Sequence, residues 1–421
     1  MGHTLAEKIL MRNTGAASYR PGDIAMTTPD LVAFLDIYAA FVYEKMREMG
    51  FAGVSHPEKT AIIQDHMLPT CRNDDPRALR YAHRCAEEFG IKRHYVGDGI
   101  CHQLIPEMRL AKPGDVVYVT DSHTTTYGAV GCFSTGVGYT EMAAVLGTGQ
   151  MWVRVPSAIK IEINGELPQG VVSKDIILRV LGDLRADGGT YKSLEFRGST
   201  VDSLSVDARL TIANMAVECG AKVGLFAPDQ KTCAYSGVDP EAVSWLCFDE
   251  DAEYEEVMRY RAEDLVPSLS CPQFVDNVHP VTAHEGTKID QVFLGSCTNG
   301  RLEDLKAAAE VMRGRRVPSR VKFIVTPASG TIYKDALKAG YLQTLASAGA
   351  MITHPYCSLC QGRSGGLVSD GEVILSTNNR NFLGRMGSAK SLIYLSSPVT
   401  AAVSALRGRI TDPREFLAHM N

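Results

Sequence analysis

A chain of 421 residues with 45% apolar and 22% charged residues has the composition of an ordinary globular protein, long enough for two or three domains. Its formal net charge of −5 excludes the basic footprint of a nucleic-acid-binding surface, so no nucleic-acid partner is expected. No run approaches ~18 uninterrupted apolar residues, the N-terminus lacks a basic-then-apolar leader, and the eleven cysteines form no dense framework, which together predict a cytoplasmic protein with no membrane association.

In chain order, Leu31 to Met49 reads as an amphipathic helix. Ala61-Ile62-Ile63 is a short apolar strand, and Gln64-Asp65-His66 then puts a carboxylate and an imidazole at its carboxyl end. A second histidine, His102, follows the glycine-rich turn at Gly99. The β-branched run Val116–Val119 predicts a strand, followed by Thr120-Asp121-Ser122-His123-Thr124 and several glycines. Further strands are expected at Ala158–Ile163, ending in an Asn164-Gly165 turn, and at Val321–Val325; Leu302 to Met312 predicts a helix. This alternation argues for α/β layers. Breaks near 155–170 and 267–287, the second reading as a linker or extended crossing segment, divide the chain into 1–160, 161–285 and 286–421.

Open α/β sheets bind ligands beyond the carboxyl ends of their strands. Taken singly, an Asp-Ser-His turn is explained as well by a helix cap, and a lone histidine by a structural role. Three such turns in one chain point to catalysis when a candidate metal site accompanies them. Here Cys297 lies in Gly-Ser-Cys-Thr-Asn-Gly, and Cys357 and Cys360 lie in Tyr-Cys-Ser-Leu-Cys-Gln-Gly. Three thiolates could hold three corners of a cubane iron–sulfur cluster and leave one iron open as a Lewis acid. With His354 they could equally form a closed Cys₃His zinc site. The cysteines alone do not choose, and buried unligated thiols explain most isolated cysteines. Near the C-terminus, Arg380 and Arg385 lie in an uncharged, Asn- and Gly-rich stretch. Guanidinium pairs of this kind suit a di- or tri-carboxylate substrate, the plainer alternative being a solvated surface pair.

Asp-Ser-His-Thr at 121–124, Gly-Ser-Cys-Thr-Asn at 295–299, Cys-x-x-Cys at 357–360 and Asn-Arg-Asn-Phe-x-Gly-Arg at 379–385 together resemble the aconitase superfamily, in the same order and over nearly the whole chain. The resemblance implies an α/β fold of three-layer α/β/α domains around a [4Fe-4S] cluster. It implies that Cys297, Cys357 and Cys360 bind that cluster. Asp65 and His66 would help protonate a departing hydroxyl, His102 and Asp121 would form a second pair, and His123 and Ser122 would contact substrate or the iron-bound water. Asn214 and Asn379 would lie by the cluster, Glu218 by the substrate hydroxyl, and Arg380 and Arg385 on its carboxylate. The length is similar to the separate large subunits of the isopropylmalate dehydratase and homoaconitase branch, which lack the swivelling domain. That implies a small-subunit partner carrying the domain, in a heterodimer or heterotetramer.

Three departures qualify the likeness. The serine base that the superfamily carries on the swivelling domain is not visible. Pro355-Tyr356 replaces a common Gly-Pro before Cys357, and Ile24-Ala25-Met26-Thr27-Thr28 has threonine where aconitases place a substrate-contacting glutamine. The last points away from citrate. The expected activity is dehydration and rehydration of 2- and 3-isopropylmalate in leucine biosynthesis. Homoaconitase and 2,3-dimethylmalate dehydratase are the sister alternatives, and an RNA-binding regulator in the cluster-free state is the remote one.

Overall fold

The structure is a computed structural model that describes residues 2–420. It forms two compact units, one built from residues up to 97, 101–163 and 189–260, the other from 98–100, 164–188 and 261 onward. The segment 161–285, set apart in the sequence as a domain of its own, is thus shared between them. Ser193–Arg197 pairs in parallel with Ala158–Asn164 in the first unit, whereas the helix Ser173–Leu184 belongs to the second, where Asp175 accepts a hydrogen bond from Ser268 N–H.

The first unit is organised on a five-stranded parallel sheet in the order Arg93–Val96, Thr60–Gln64, Leu31–Leu35, Val116–Val119 and Phe133–Gly136. Leu31–Leu35 corrects one expectation: it is a strand, and the helix begins only at Asp36. Leu-Val-Ala-Phe-Leu is buried on both faces as the middle strand. Such a run is continuously apolar, so periodicity cannot separate it from the helix that follows. Phe34, Ile62, Tyr118 and Phe133 project from this sheet into one core with the helices Asp36–Glu48 and Tyr139–Thr148. A four-stranded sheet containing Val223–Phe226, Ser193–Arg197 and Ala158–Asn164 completes the unit.

The second unit carries a seven-stranded mixed sheet, Val278–Pro280, Ser268–Ser270, Leu392–Leu395, Val373–Ser376, Gln291–Gly295, Lys322–Thr326 and Met351–Ile352. Its last five strands are parallel, and the first two add an antiparallel edge. The passage 267–287 is therefore sheet edge, not a linker. Its strands are three residues long, too short to show a period-two pattern. Leu302–Met312 is helical over the expected span, and the strand expected at Val321–Val325 runs Lys322–Thr326. No described helix is long and apolar enough to cross a membrane.

Candidate active site

In the first unit, the turns after three neighbouring parallel strands place carboxylates and imidazoles together. Asp65, wholly buried just past Thr60–Gln64, bonds His66 Nδ1 through Oδ1 at 2.6 Å and accepts Cys101 N–H on Oδ2 at 2.7 Å. Asp36, just past Leu31–Leu35, accepts the backbone N–H of His66 at 3.1 Å and of Met67 at 2.8 Å. Burial and the nearby Asp65 push the Asp36 carboxyl up to about 6. Burial disfavours a charge on His66, yet Asp65, Asp36 and Asp121 outweigh it and hold the imidazole up at about 10. His66 is therefore an imidazolium at neutral pH. Its Nδ1 proton is committed to Asp65, while Nε2 lies 3.8 Å from Asp121 Oδ2.

Asp121 joins the remaining groups. It caps the helical turn Ser122–Val130 by accepting His123 N–H at 2.8 Å, and the same Oδ1 meets His102 Nε2 at 2.8 Å. Burial alone would raise its pKa, but His102 and His123 hold it well below the usual carboxylate range. His102 Nδ1 in turn meets the Tyr127 hydroxyl at 3.2 Å. His123 Nε2 lies 2.6 Å from Glu218 Oε1, which reaches it from the turn Ala216–Cys219. Asn214 Nδ2 donates to Thr126 Oγ1 at 2.9 Å, and that hydroxyl donates to the His123 carbonyl at 2.6 Å. Ser122 is half-buried beside Asp121. The trios His102–Asp121–His123 and Asp36–Asp65–His66 have ligand-type atoms within 4.8 Å, a spacing that a divalent ion would also accept. Short hydrogen bonds already fill it, which is the arrangement of a proton-handling array.

In the second unit, Cys297 sits on a tight turn at the carboxyl end of Gln291–Gly295. Gly295 has φ +151°, and a Cβ there would lie 2.3 Å from the Thr326 carbonyl oxygen. Ser296 follows at φ +68°, a left-handed conformation that costs a non-glycine residue about 1 kcal/mol or more. The wholly buried Arg301 fastens this turn, donating to the Cys297 carbonyl at 2.6 Å and the Thr298 carbonyl at 2.7 Å. Cys357 and Cys360 flank and enter the short turn Ser358–Gln361. All three cysteines are buried and outside any disulfide, whereas His354 is exposed. The Asn379 side chain bridges two of them: its Nδ2 is 3.7 Å from Cys297 Sγ and its Oδ1 is 3.5 Å from Cys360 Sγ. Buried Lys174 donates to the Thr377 and Asn378 carbonyls at 2.8 and 2.6 Å. Burial lowers its pKa to about 7 against the opposing pull of Asp304, Cys297 and Cys360. Arg380 and Arg385 are half-buried on the loop beyond Asn379.

Each expected site residue thus falls into one of two constellations. Asp65, His66, His102, Asp121, Ser122, His123, Asn214 and Glu218 lie in the first unit, and the three cysteines, Asn379, Arg380 and Arg385 in the second. Four neighbours escaped the sequence reading. Asp36 was hidden inside a supposed helix, although a carboxylate at a strand end was the very signal used for Asp65 and Asp121. Arg301, one residue past Cys-Thr-Asn-Gly, could have been found by proximity. Tyr127 and Lys174 carried no local signal.

The model of the aconitase family (aconitate hydratase) matches residues 7–408. The chain is 45% identical over 422 residues to the 3-isopropylmalate dehydratase large subunit 1 of Methanopyrus kandleri, covering 99% of this chain and 100% of the relative. It is 44% identical to the large subunit 2 of Archaeoglobus fulgidus and 43% to the large subunit of Heliobacterium modesticaldum, each over 420 residues, 99% of this chain and the whole relative. The holo form of Thermococcus kodakaraensis aconitase X shares the fold, with TM-score 0.51 and 12% identity over 87% of this chain and 84% of that one.

Proposed function

The chain belongs to the aconitase family, and on that premise we propose that it is the large subunit of a cytoplasmic 3-isopropylmalate dehydratase, a hydro-lyase that interconverts 2- and 3-isopropylmalate in leucine biosynthesis. The observation that carries this reading is end-to-end similarity at 45% identity to a relative of that name.

Cys297, Cys357 and Cys360 would hold a [4Fe-4S] cluster. Three buried cysteines outside any disulfide, two of them spanned by one Asn379 amide, suit a cluster with three protein ligands, and exposed His354 is a poor fourth ligand for zinc. When bound, the cluster supplies a Lewis-acidic iron toward a substrate oxygen.

The chain's own groups manage the protons. His66, kept charged by its carboxylates, can release the Nε2 proton to a departing hydroxyl while Nδ1 stays on Asp65. Asp121 remains anionic and orients His102 and His123, with Ser122 beside it for the substrate. Glu218 fixes the far nitrogen of His123, and Asn214 steadies the His123 turn through Thr126. Arg380 and Arg385 supply planar, permanently charged donors for the substrate carboxylates. The partner is a small subunit carrying the swivelling domain and the base that takes the carbon-bound proton. Purified anaerobically, this chain should be brown with iron and sulfide near four per chain. With its small subunit it should convert 3-isopropylmalate to an ultraviolet-absorbing unsaturated diacid. A colourless preparation with stoichiometric zinc, or a reassembled enzyme that ignores 3-isopropylmalate, rejects the reading.

A further inference from the structure

The parallel sheet that carries Asp36, Asp65 and Asp121 beyond its carboxyl ends is hollowed at its opposite edge. A cleft of about 470 Å³ opens where the same three strands begin. Asp30 precedes Leu31–Leu35, Lys59 precedes Thr60–Gln64, and Asp115 precedes Val116–Val119. At roughly 3.3 Å per residue, about 15 Å of strand separates it from the proton-handling array. None of its residues takes part in the chemistry above.

Among the described residues no direct ion pair closes between the cations and the carboxylates of this cleft, although Lys112 and Lys59 act on Asp115 at longer range. Arg12 lies over the Trp245 ring at 4.6 Å, and Lys59 Nζ donates to the Pro29 carbonyl at 3.3 Å. Among the described residues neither they nor Lys112 forms an ion pair. Asp30 accepts Val116 N–H at 3.0 Å and Asp115 accepts Lys112 N–H at 2.7 Å. Burial, with repulsion from Asp30, pushes Asp115 up to about 7 against the opposing pull of the Lys112 N–H and of the Lys112 and Lys59 charges. Trp245 forms a wall, pressed so closely on Gly114 that a Cβ there would lie 2.8 Å from its Cζ2. Its indole N–H is buried with no acceptor among the described residues.

We propose that this cleft binds a small zwitterion of the α-amino-acid class, its carboxylate toward Arg12, Lys59 and Lys112, its ammonium toward Asp30 and Asp115, and its apolar arm against Trp245 and Val243. A plain anion would leave the Asp30–Asp115 repulsion in place. A plain cation would meet three cations, none of them in a direct ion pair. A ligand with both signs relieves both.

Trp245 reports on the site. The chain has two tryptophans, and Trp152 is 57% exposed, so Trp152→Phe leaves Trp245 as the sole tryptophan, read by excitation at the red edge where tyrosine does not absorb. In that full-length chain L-phenylalanine should shift the emission saturably, with half-saturation at or below ~1 mM. Calorimetry on the parent chain should return the same constant. 3-Phenylpropanoate and 2-phenylethylamine, each lacking one charge, should bind at least ~10-fold more weakly, as should L-phenylalanine to Lys112→Met, which keeps most of the stem. Lys59→Met is the second variant, should the first misfold. The proposal is overturned by no saturable response to any probe up to ~20 mM, by 3-phenylpropanoate binding as tightly as L-phenylalanine, or by undiminished binding in folded lysine variants.

Discussion

On the proposed mechanism, the charge on His66 is the residue-scale feature on which proton delivery turns. Its folded pKa of about 10 lies above the ordinary 6.5. The sign follows: its contribution to stability is complete below pH 6.5 and is lost as pH rises through about 10. Asp65→Asn removes the nearest of the three carboxylates, so the imidazolium should titrate at lower pH. In the reassembled enzyme kcat should fall ~10²-fold or more, with its alkaline limb displaced toward neutrality. An alkaline limb in the same place would show that His66 is not the acid. Arg380→Lys and Arg385→Lys keep the charge and lose the fork. Each should reduce kcat/KM at least ~10-fold, the cost of one charge-assisted bond, and normal kinetics in both would move the carboxylate grip elsewhere. The strand-end positions of Asp65, His66 and Asp121 were legible in the sequence because a recognisable apolar run ends one or two polar residues before each. Asp36 was not, because its run merges into a helix with no intervening polar turn. Tyr127 reaches His102 across 25 residues, a pairing that no local pattern encodes.

At the scale of elements, the Cys297 turn is held by backbone geometry on one side and Arg301 on the other. Gly295→Ala adds a Cβ against the Thr326 carbonyl, in a sheet where Gly295 pairs with Thr326. The strand must shift, and the turn that orients Cys297 shifts with it. Iron content should fall below that of the parent even when the chain stays folded, and parental iron in this variant would argue against the turn as a cluster ligand site. Arg301→Met removes the guanidinium donors to the buried Cys297 and Thr298 carbonyls, a cost of roughly 2–5 kcal/mol. Urea unfolding should show that loss, and an unchanged midpoint would mean that water replaces the guanidinium. Elements with strong periodicity, such as Leu302–Met312, were readable to the residue. The hairpin Ser268–Ser270 with Val278–Pro280 was not, because its strands owe their conformation to pairing with each other and with Leu392–Leu395.

For the molecule as a whole, chain order did not disclose that 164–188 and 189–260 lie in different units, since that depends on contacts between distant segments. The motifs were legible because each is a short run of chemistry at a strand end. What they do not supply is the base for the carbon-bound proton. The matched relatives are named large subunits, which implies a small-subunit partner, and the proposed function assigns that base to it. Covering a cleft against water takes an interface of order 1,200–2,000 Å² or more, so a stable complex is expected, visible by sedimentation. The chain alone should bind its cluster yet turn over little or no substrate, and adding the small subunit should restore activity. Exchanging the small subunit for that of a relative with another alkyl preference should change substrate choice while this chain stays constant. Full turnover by this chain in the absence of any partner would refute the two-subunit assignment. The brown colour and iron content would still test the cluster independently, because on the proposed reading they depend on Cys297, Cys357 and Cys360. Replacing any of these by serine should abolish the colour, and Cys71→Ser and Cys247→Ser, both at exposed cysteines, should keep it.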